Sequence, residues 1–183
     1  IAFTDDDCIL DKDWLYAIDK AFKENPDISC DKGMTKNSQC GIISNSLDKY
    51  IYGRPTSGAT NNIAYKKEVF KELKGFDENY IFCYEDVDLK WRFKLHGYKR
   101  IFCPDMIIWH PHENDISTLK KKAFLGGVGV YQFFIKYFFS HPFIAIGSVG
   151  AYFYYLPFSI IHFINRNPKL KSFDNNIFIM SLR

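Results

Sequence analysis

The amino-acid sequence predicts an α/β fold followed by a hydrophobic helical tail, and three observations carry that reading. An apolar, strand-like opening, Ile1 to Thr4, runs straight into Asp5-Asp6-Asp7. Apolar residues then recur at helical spacing in three segments separated by short extended runs. Finally, aromatic residues, 18% of the chain, crowd towards its end, where Phe143 to Ile164 contains no Asp, Glu, Lys or Arg.

Taken in order, Trp14, Ile18 and Phe22 recur at i, i+4, i+8 and predict a helix over 14–23, with Asp11 or Asp13 as N-cap and Asn25-Pro26 as its end. The polar stretch from Asp31 to Gln39 reads as a loop, followed by a short apolar run at Ile42-Ile43. Small and amide residues at 57–62 lead into a helix over 66–74, with Val69, Phe70 and Leu73 inward and Gly75 as its stop. A further helix over 86–96 places Leu89 and Phe93 on one face and Val87, Trp91 and Leu95 on a neighbouring stripe, with Gly97 as an αL cap. Two extended runs follow, 100–103 and 106–109, separated by Pro104-Asp105.

Composition narrows the function classes. A net charge of +3 is too mild to argue for nucleic acid. The five cysteines form no C-x-x-C pair and leave an odd one over, so neither a disulfide framework nor a ribbon-type zinc site is suggested; Cys30 and Cys40 read as buried or free thiols. The opening on Ile1 without a polar leader leads to the expectation that an upstream portion is missing.

Two acidic clusters carry the chemistry. Asp5, Asp6 and Asp7 follow a strand, where open α/β sheets hold their ligands, and their hard oxygens suit Mg²⁺ or Mn²⁺. Glu85, Asp86 and Asp88 stand at the start of a helix. Carboxylates this close repel one another and persist when a cation, a proton in transit or a helix N-terminus compensates them. Asp88, offset from Asp86 by about 200° on the helix, reads as supporting. His110, at the end of a strand, is a candidate to complete a metal sphere, with His112 behind it. Gly58 permits close approach of backbone to ligand, and Asn61 and Asn62 offer donors and acceptors.

The order Asp5-Asp6-Asp7, Gly58-Ala59-Thr60-Asn61-Asn62, Gly75-Phe76-Asp77-Glu78, Glu85-Asp86-Val87-Asp88-Leu89 with Trp91-Arg92, Gly97-Tyr98 and Trp109-His110 resembles a family 2 glycosyltransferase of the GT-A fold, a Rossmann-like mixed sheet that would be partial here. The resemblance covers about residues 1–112. It implies a metal-dependent, inverting transfer of a sugar from a nucleotide-diphosphate donor to a glycan or lipid-linked acceptor. By resemblance, Asp5 and Asp7, with Asp6 adjacent, form the D-x-D motif that binds the diphosphate and a divalent cation, Mg²⁺ or Mn²⁺, joined by His110. Asp86 is then the general base, with Glu85 beside it. Gly58, Ala59, Asn61, Asn62, Trp91 and Arg92 would face the acceptor. The family's usual N-terminal half is absent, so residues 1–183 alone are expected to be inactive. Two other readings stay open: an inactive sugar-binding or scaffold module on the same fold, and a phosphohydrolase using the same acids with His110.

The boundary between the catalytic portion and the tail falls at 115/116. Lys120-Lys121-Lys122 precedes a first apolar run, 123–139, which contains Gln132 and Lys136 and is short for a span; the run 143–164 is about the length needed to cross a bilayer. Basic residues at both ends favour a hairpin, or a first run lying in the interface, with membrane association and a catalytic portion facing the cytoplasm.

Overall fold

The computed structural model describes residues 1–39, 59–112 and 115–151. The opening strand, β1 (Ala2–Thr4), ends at the acidic turn, and a two-residue strand, β2 (Ile9–Leu10), leaves it. Helix α1 (Trp14–Glu24) starts one residue after Asp13, whose N–H donates to Asp11 Oδ1 at 3.0 Å; the acids shape the entry turn, and Asp13 makes no side-chain cap bond. Asn25 closes the helix, its amide donating to Ala21 O at 3.0 Å.

The chain then departs from the pattern. Residues 31–39, read as a loop, lie largely within a strand, β3 (Cys30–Asn37), and a second unforeseen strand, β4 (Asn62–Tyr65), precedes the short helix α2 (Lys67–Glu72). Helix α3 (Glu85–Leu95) falls where periodicity placed it, with Gly97 beyond its end at φ 75°. The two runs flanking Pro104-Asp105 are one long strand, β5 (Arg100–His110). The Ile42-Ile43 run lies outside the described residues.

Among the described residues these strands form one five-stranded mixed sheet in the order β1-β4-β3-β5-β2, with β3 and β5 parallel and the other neighbours antiparallel. β1 and β2 therefore lie at opposite edges, yet only residues 5–8 join them, tightened by a bond from Cys8 N to Asp5 O at 3.2 Å. Four strand spacings of about 4.8 Å separate the edges of a flat sheet by about 19 Å. A hydrogen-bonded turn with its ends within about 7 Å cannot cover that, so the sheet curls until its edges approach. The acidic turn is the seam.

α1 covers one face, packing Trp14 and Ala17 on Ala64, Met106 and Ile108. On the other face, Val69 and Leu73 at α2, with Leu89 and Phe93 of α3, pack on Cys30, Ile63 and Tyr65. Each side buries apolar side chains, worth roughly 1.5–3 kcal/mol for a fully covered Leu or Phe.

The first run of the expected hydrophobic tail is α4 (Ile116–Tyr137), and a further helix occupies 142–151. No described helix is long and apolar enough to cross a membrane. α4 is part of the folded body, not a detached tail: Phe133, Tyr137 and Ala145 pack with Tyr80, Tyr84, Val87 and Trp91. Gln132 and Lys136, the residues that broke the apolar run, are docking groups. Gln132 Nε2 donates to Asn79 O at 2.8 Å, and Lys136 Nζ reaches Asp77 and Asp88 at 2.6 Å each. Most of the run 143–164 lies outside the described residues.

Asp31, in the central strand, is fully buried and neither carboxylate oxygen has a hydrogen-bond partner among the described residues. Burial pushes its pKa up to about 6. A carboxyl raised above its unfolded value of about 3.9 favours the fold when protonated, so its full benefit is present below about pH 4 and is lost as pH rises through 6. Asp31→Asn is expected to stabilise the protein by about 1–3 kcal/mol at pH 7. Urea titrations should show that gain shrinking towards zero at pH 4.

Candidate active site

The acidic turn meets the end of β5 at the seam. Because β2 pairs with β5, Ile9 opposite Trp109, the turn that feeds β2 is held beside His110. His110 Nε2 lies 3.4 Å from both Asp5 Oδ2 and Asp7 Oδ1; the imidazole is buried, whereas the two carboxylates are about half exposed. One ligand atom each from Asp5, Asp7, Cys8 and His110 falls within 4.8 Å of the others. Two hard carboxylates and an imidazole are a donor set that a divalent cation accepts, with the outer side of the turn left to solvent and ligand. The Cys8 thiol is pushed up by its burial, with the neighbouring acids adding to the effect, so it stays protonated near neutrality unless a cation draws off its proton. Cys8 was missed in the sequence; its place directly after Asp7 was the available signal. Asp6, at the tip of the turn, is exposed and takes no part in this cluster.

The second acidic cluster begins at Tyr84, which precedes α3 with φ 84°, an uncommon conformation for a residue with a side chain and one that concentrates at functional turns. α4 approaches this turn closely enough that a Cβ on Gly129 would stand 2.8 Å from Cys83 O and 2.9 Å from Tyr84 Cβ. Asp86 is pushed up to about 6, first by burial and then by the charge of Glu85. Its Oδ1 accepts from Val87 N–H at 2.6 Å.

Lys32 of β3 is fully buried, its ammonium drawn down to about 8 by burial and by Arg100 and partly restored by the fields of Cys30 first, then Asp86 and Asp5. It donates to Asn61 Oδ1 at 3.3 Å and to Asn62 O at 3.2 Å. The fields of one seam acid, Asp5, and of Asp86 in α3 thus both reach this buried ammonium. Nothing in the sequence separated Lys32 from a solvated loop lysine.

The residues expected to face an acceptor divide. Asn61 is 3% exposed; its Oδ1 also accepts from Thr35 Oγ1 at 3.4 Å, while its Nδ2 has no partner among the described residues. Asn62 is fully buried and structural: its Nδ2 donates to Met34 O at 3.0 Å and Met106 O at 2.8 Å, and its Oδ1 accepts from Trp14 Nε1 at 2.9 Å. Arg92 is likewise spent on the fold, donating to Asp88 Oδ2 at 2.7 Å, to Leu73 O and to Gly75 O at 2.7 Å. Trp91 packs with the α4 cluster, with Lys94 Nζ 4.8 Å from its ring centroid. Ala59 is half-buried, and Gly58 lies outside the described residues.

Asp88 is a structural hub. It is fully buried and accepts from Arg92, from Tyr137 Oη at 2.9 Å, from Lys136 Nζ at 2.6 Å and from Tyr80 Oη at 3.4 Å, tying α3 to α4 and to the end of α2. No protein-family model matches this chain, and no curated protein matches its sequence.

Removing one partner of a buried charge cluster costs about 3–5 kcal/mol because the remaining charges lose their compensation. Asp88→Ala is therefore expected to lower stability by roughly that amount, read as a shift of the urea midpoint. Asp86→Asn, which discharges a carboxyl already disfavoured as an anion, should leave the midpoint unchanged or slightly higher.

Proposed function

We propose that this chain carries the metal and acceptor side of a GT-A glycosyltransferase of family 2, transferring a sugar from a nucleotide diphosphate with inversion at the anomeric carbon. The observation that carries the reading is the meeting of Asp5, Asp7 and His110 at the seam, accompanied by a buried ammonium, Lys32, on which the fields of both Asp5 and Asp86 act. Clustered acids have simpler structural explanations when they stand alone. Here one cluster is solvent-facing and backed by an imidazole, and the other holds a carboxyl whose pKa is raised towards neutrality.

The division of labour follows from the groups present. Asp5, Asp7 and His110 would hold a divalent cation, Mg²⁺ or Mn²⁺, which when bound neutralises charge on the leaving diphosphate. Asp86 accepts the proton of the acceptor hydroxyl as that oxygen bonds to the anomeric carbon and the carbon–oxygen bond to the diphosphate breaks. A base pKa near working pH combines a deprotonated fraction with useful basicity. Glu85 sets the field at Asp86.

A membrane-borne acceptor is supported by the outer face of α4 and the following helix. Phe124, Tyr131, Ile135, Phe139 and Phe143 are all more than half exposed, and Lys120, Lys121 and Lys122 stand exposed at the start of α4. An aromatic face beside basic residues suits the plane of an anionic bilayer without crossing it.

Asp86→Asn is expected to abolish transfer of radiolabelled sugar to membrane acceptors while donor binding persists; loss of both would overturn the assignment of the base. The wild-type rate should fall as pH drops through about 6, because Asp86 then takes up the proton that blocks it. Sedimentation with vesicles should show binding to anionic, not zwitterionic, lipid, reduced severalfold by Lys120→Gln/Lys121→Gln/Lys122→Gln.

A further inference from the structure

His112 stands two residues beyond the end of β5, and its ring is 1% exposed. Its Nδ1 lies 3.0 Å from His110 Nδ1, with the ring centroids 5.0 Å apart and tilted by 40°. Two nitrogens at that distance share one proton, since two lone pairs or two N–H groups facing each other would repel. The opposite edge of His110 is committed by geometry: Nε2 points at Asp5 and Asp7, 3.4 Å from each.

We propose that His112 is a positioning residue for the seam site: it accepts a hydrogen bond from His110 Nδ1–H, which fixes the tautomer of His110 so that the Nε2 lone pair faces the ligand position between Asp5 and Asp7. This rests on the metal reading of that cluster. A neutral imidazole that ligates through Nε2 must carry its proton on Nδ1, and an acceptor for that proton both selects the tautomer and stops rotation of the ring. In this chain that acceptor is another histidine, buried where water does not compete. Its own Nδ1 must then be unprotonated, which places the His112 proton on Nε2.

The orientation has a second consequence for the pair. If the proton between the rings belonged instead to His112, His110 would carry its own on Nε2 and would present N–H to the acids, hydrogen-bonding them and closing the position to a cation. The two arrangements differ by the placement of protons, not of heavy atoms. A bound cation, which needs the Nε2 lone pair, therefore selects the arrangement with the shared proton on His110 Nδ1.

Three forms of the protein test this: wild type, His112→Leu, which removes the acceptor at similar bulk, and His112→Asn, whose Oδ1 can take the place of Nδ1. Mn²⁺ affinity is measured by electron paramagnetic resonance, and the His110 tautomer by nitrogen-15 NMR. The expected result is a 10- to 100-fold weaker Mn²⁺ affinity in His112→Leu. His112→Asn should return to within a few-fold of wild type, and His110 should be protonated on Nδ1 in wild type and His112→Asn but not in His112→Leu. Equal Mn²⁺ affinity in wild type and His112→Leu overturns the proposal while leaving the metal site standing. A wild-type His110 protonated on Nε2 in the presence of Mn²⁺ also overturns it, and needs no variant to fold. Failure of the wild type to bind Mn²⁺ removes the metal reading itself, and the positioning role with it.

Discussion

The side-chain amide of Asn62 holds the centre of this fold. β3 and β5 run parallel in register from Cys30 opposite Arg100 to Gly33 opposite Cys103, then slip so that Met34 faces Ile107. Three residues of β5 are left over at the slip, and the carbonyls on either side lose their regular strand partners. Asn62, reaching in from β4, supplies donors to Met34 O and Met106 O and takes the indole N–H of Trp14 in return. One amide thus joins three strands and the helix that covers them. Buried backbone carbonyls without partners each cost about 1–3 kcal/mol, which is the penalty this bond set removes. The arrangement also dictates Gly33, because a Cβ there would stand 2.3 Å from Met106 O and 2.4 Å from Asn62 Nδ2.

The second organising element is the carboxylate of Asp88, which converts a helix with an apolar wall into a rigid corner. Asp77, held down to about 2 chiefly by its bond from Lys136, belongs to the same network. Through it the loop before α3 is pinned between α3 and α4, and Gly129 lets α4 close against Tyr84. Asp86 stands on the opposite side of α3 from Asp88, so the same acidic sequence supplies one carboxylate to architecture and leaves the other, raised to about 6, outside that network. The stiff corner keeps Asp86 in place.

Much of this was legible where local patterning and burial agree. The i, i+4 spacing of Leu89 and Phe93 located α3 to within a residue, and the supporting role read for Asp88 matches its buried bonds to Arg92, Lys136 and Tyr137. β3 was illegible for the same physical reason that makes it unusual: Asp31, Lys32 and Thr35 are polar and buried, and alternation of apolar residues is what marks a strand. Asn62 and Arg92 looked like ligand-facing polar residues because nothing local shows that a carbonyl elsewhere in the chain will claim their donors. α4 looked like part of a tail because its apolar residues dominate, whereas its few polar ones specify where it docks. The tetrad at the seam was readable only in part: the triplet and His110 stood out, but their meeting depends on curl, a property of five strands together.

That curl makes the seam a clasp. Opening the sheet at its edges and pulling Asp5 away from His110 are the same movement, since the turn that carries the acids is also the bridge between β1 and β2. Anything that draws Asp5, Asp7 and His110 together holds the sheet shut, and its binding free energy adds to that of folding as RT ln(1 + [L]/Kd). Occupancy of the site and resistance to unfolding are therefore two readings of one equilibrium, and the melting temperature of this protein is a gauge of what its acidic turn holds.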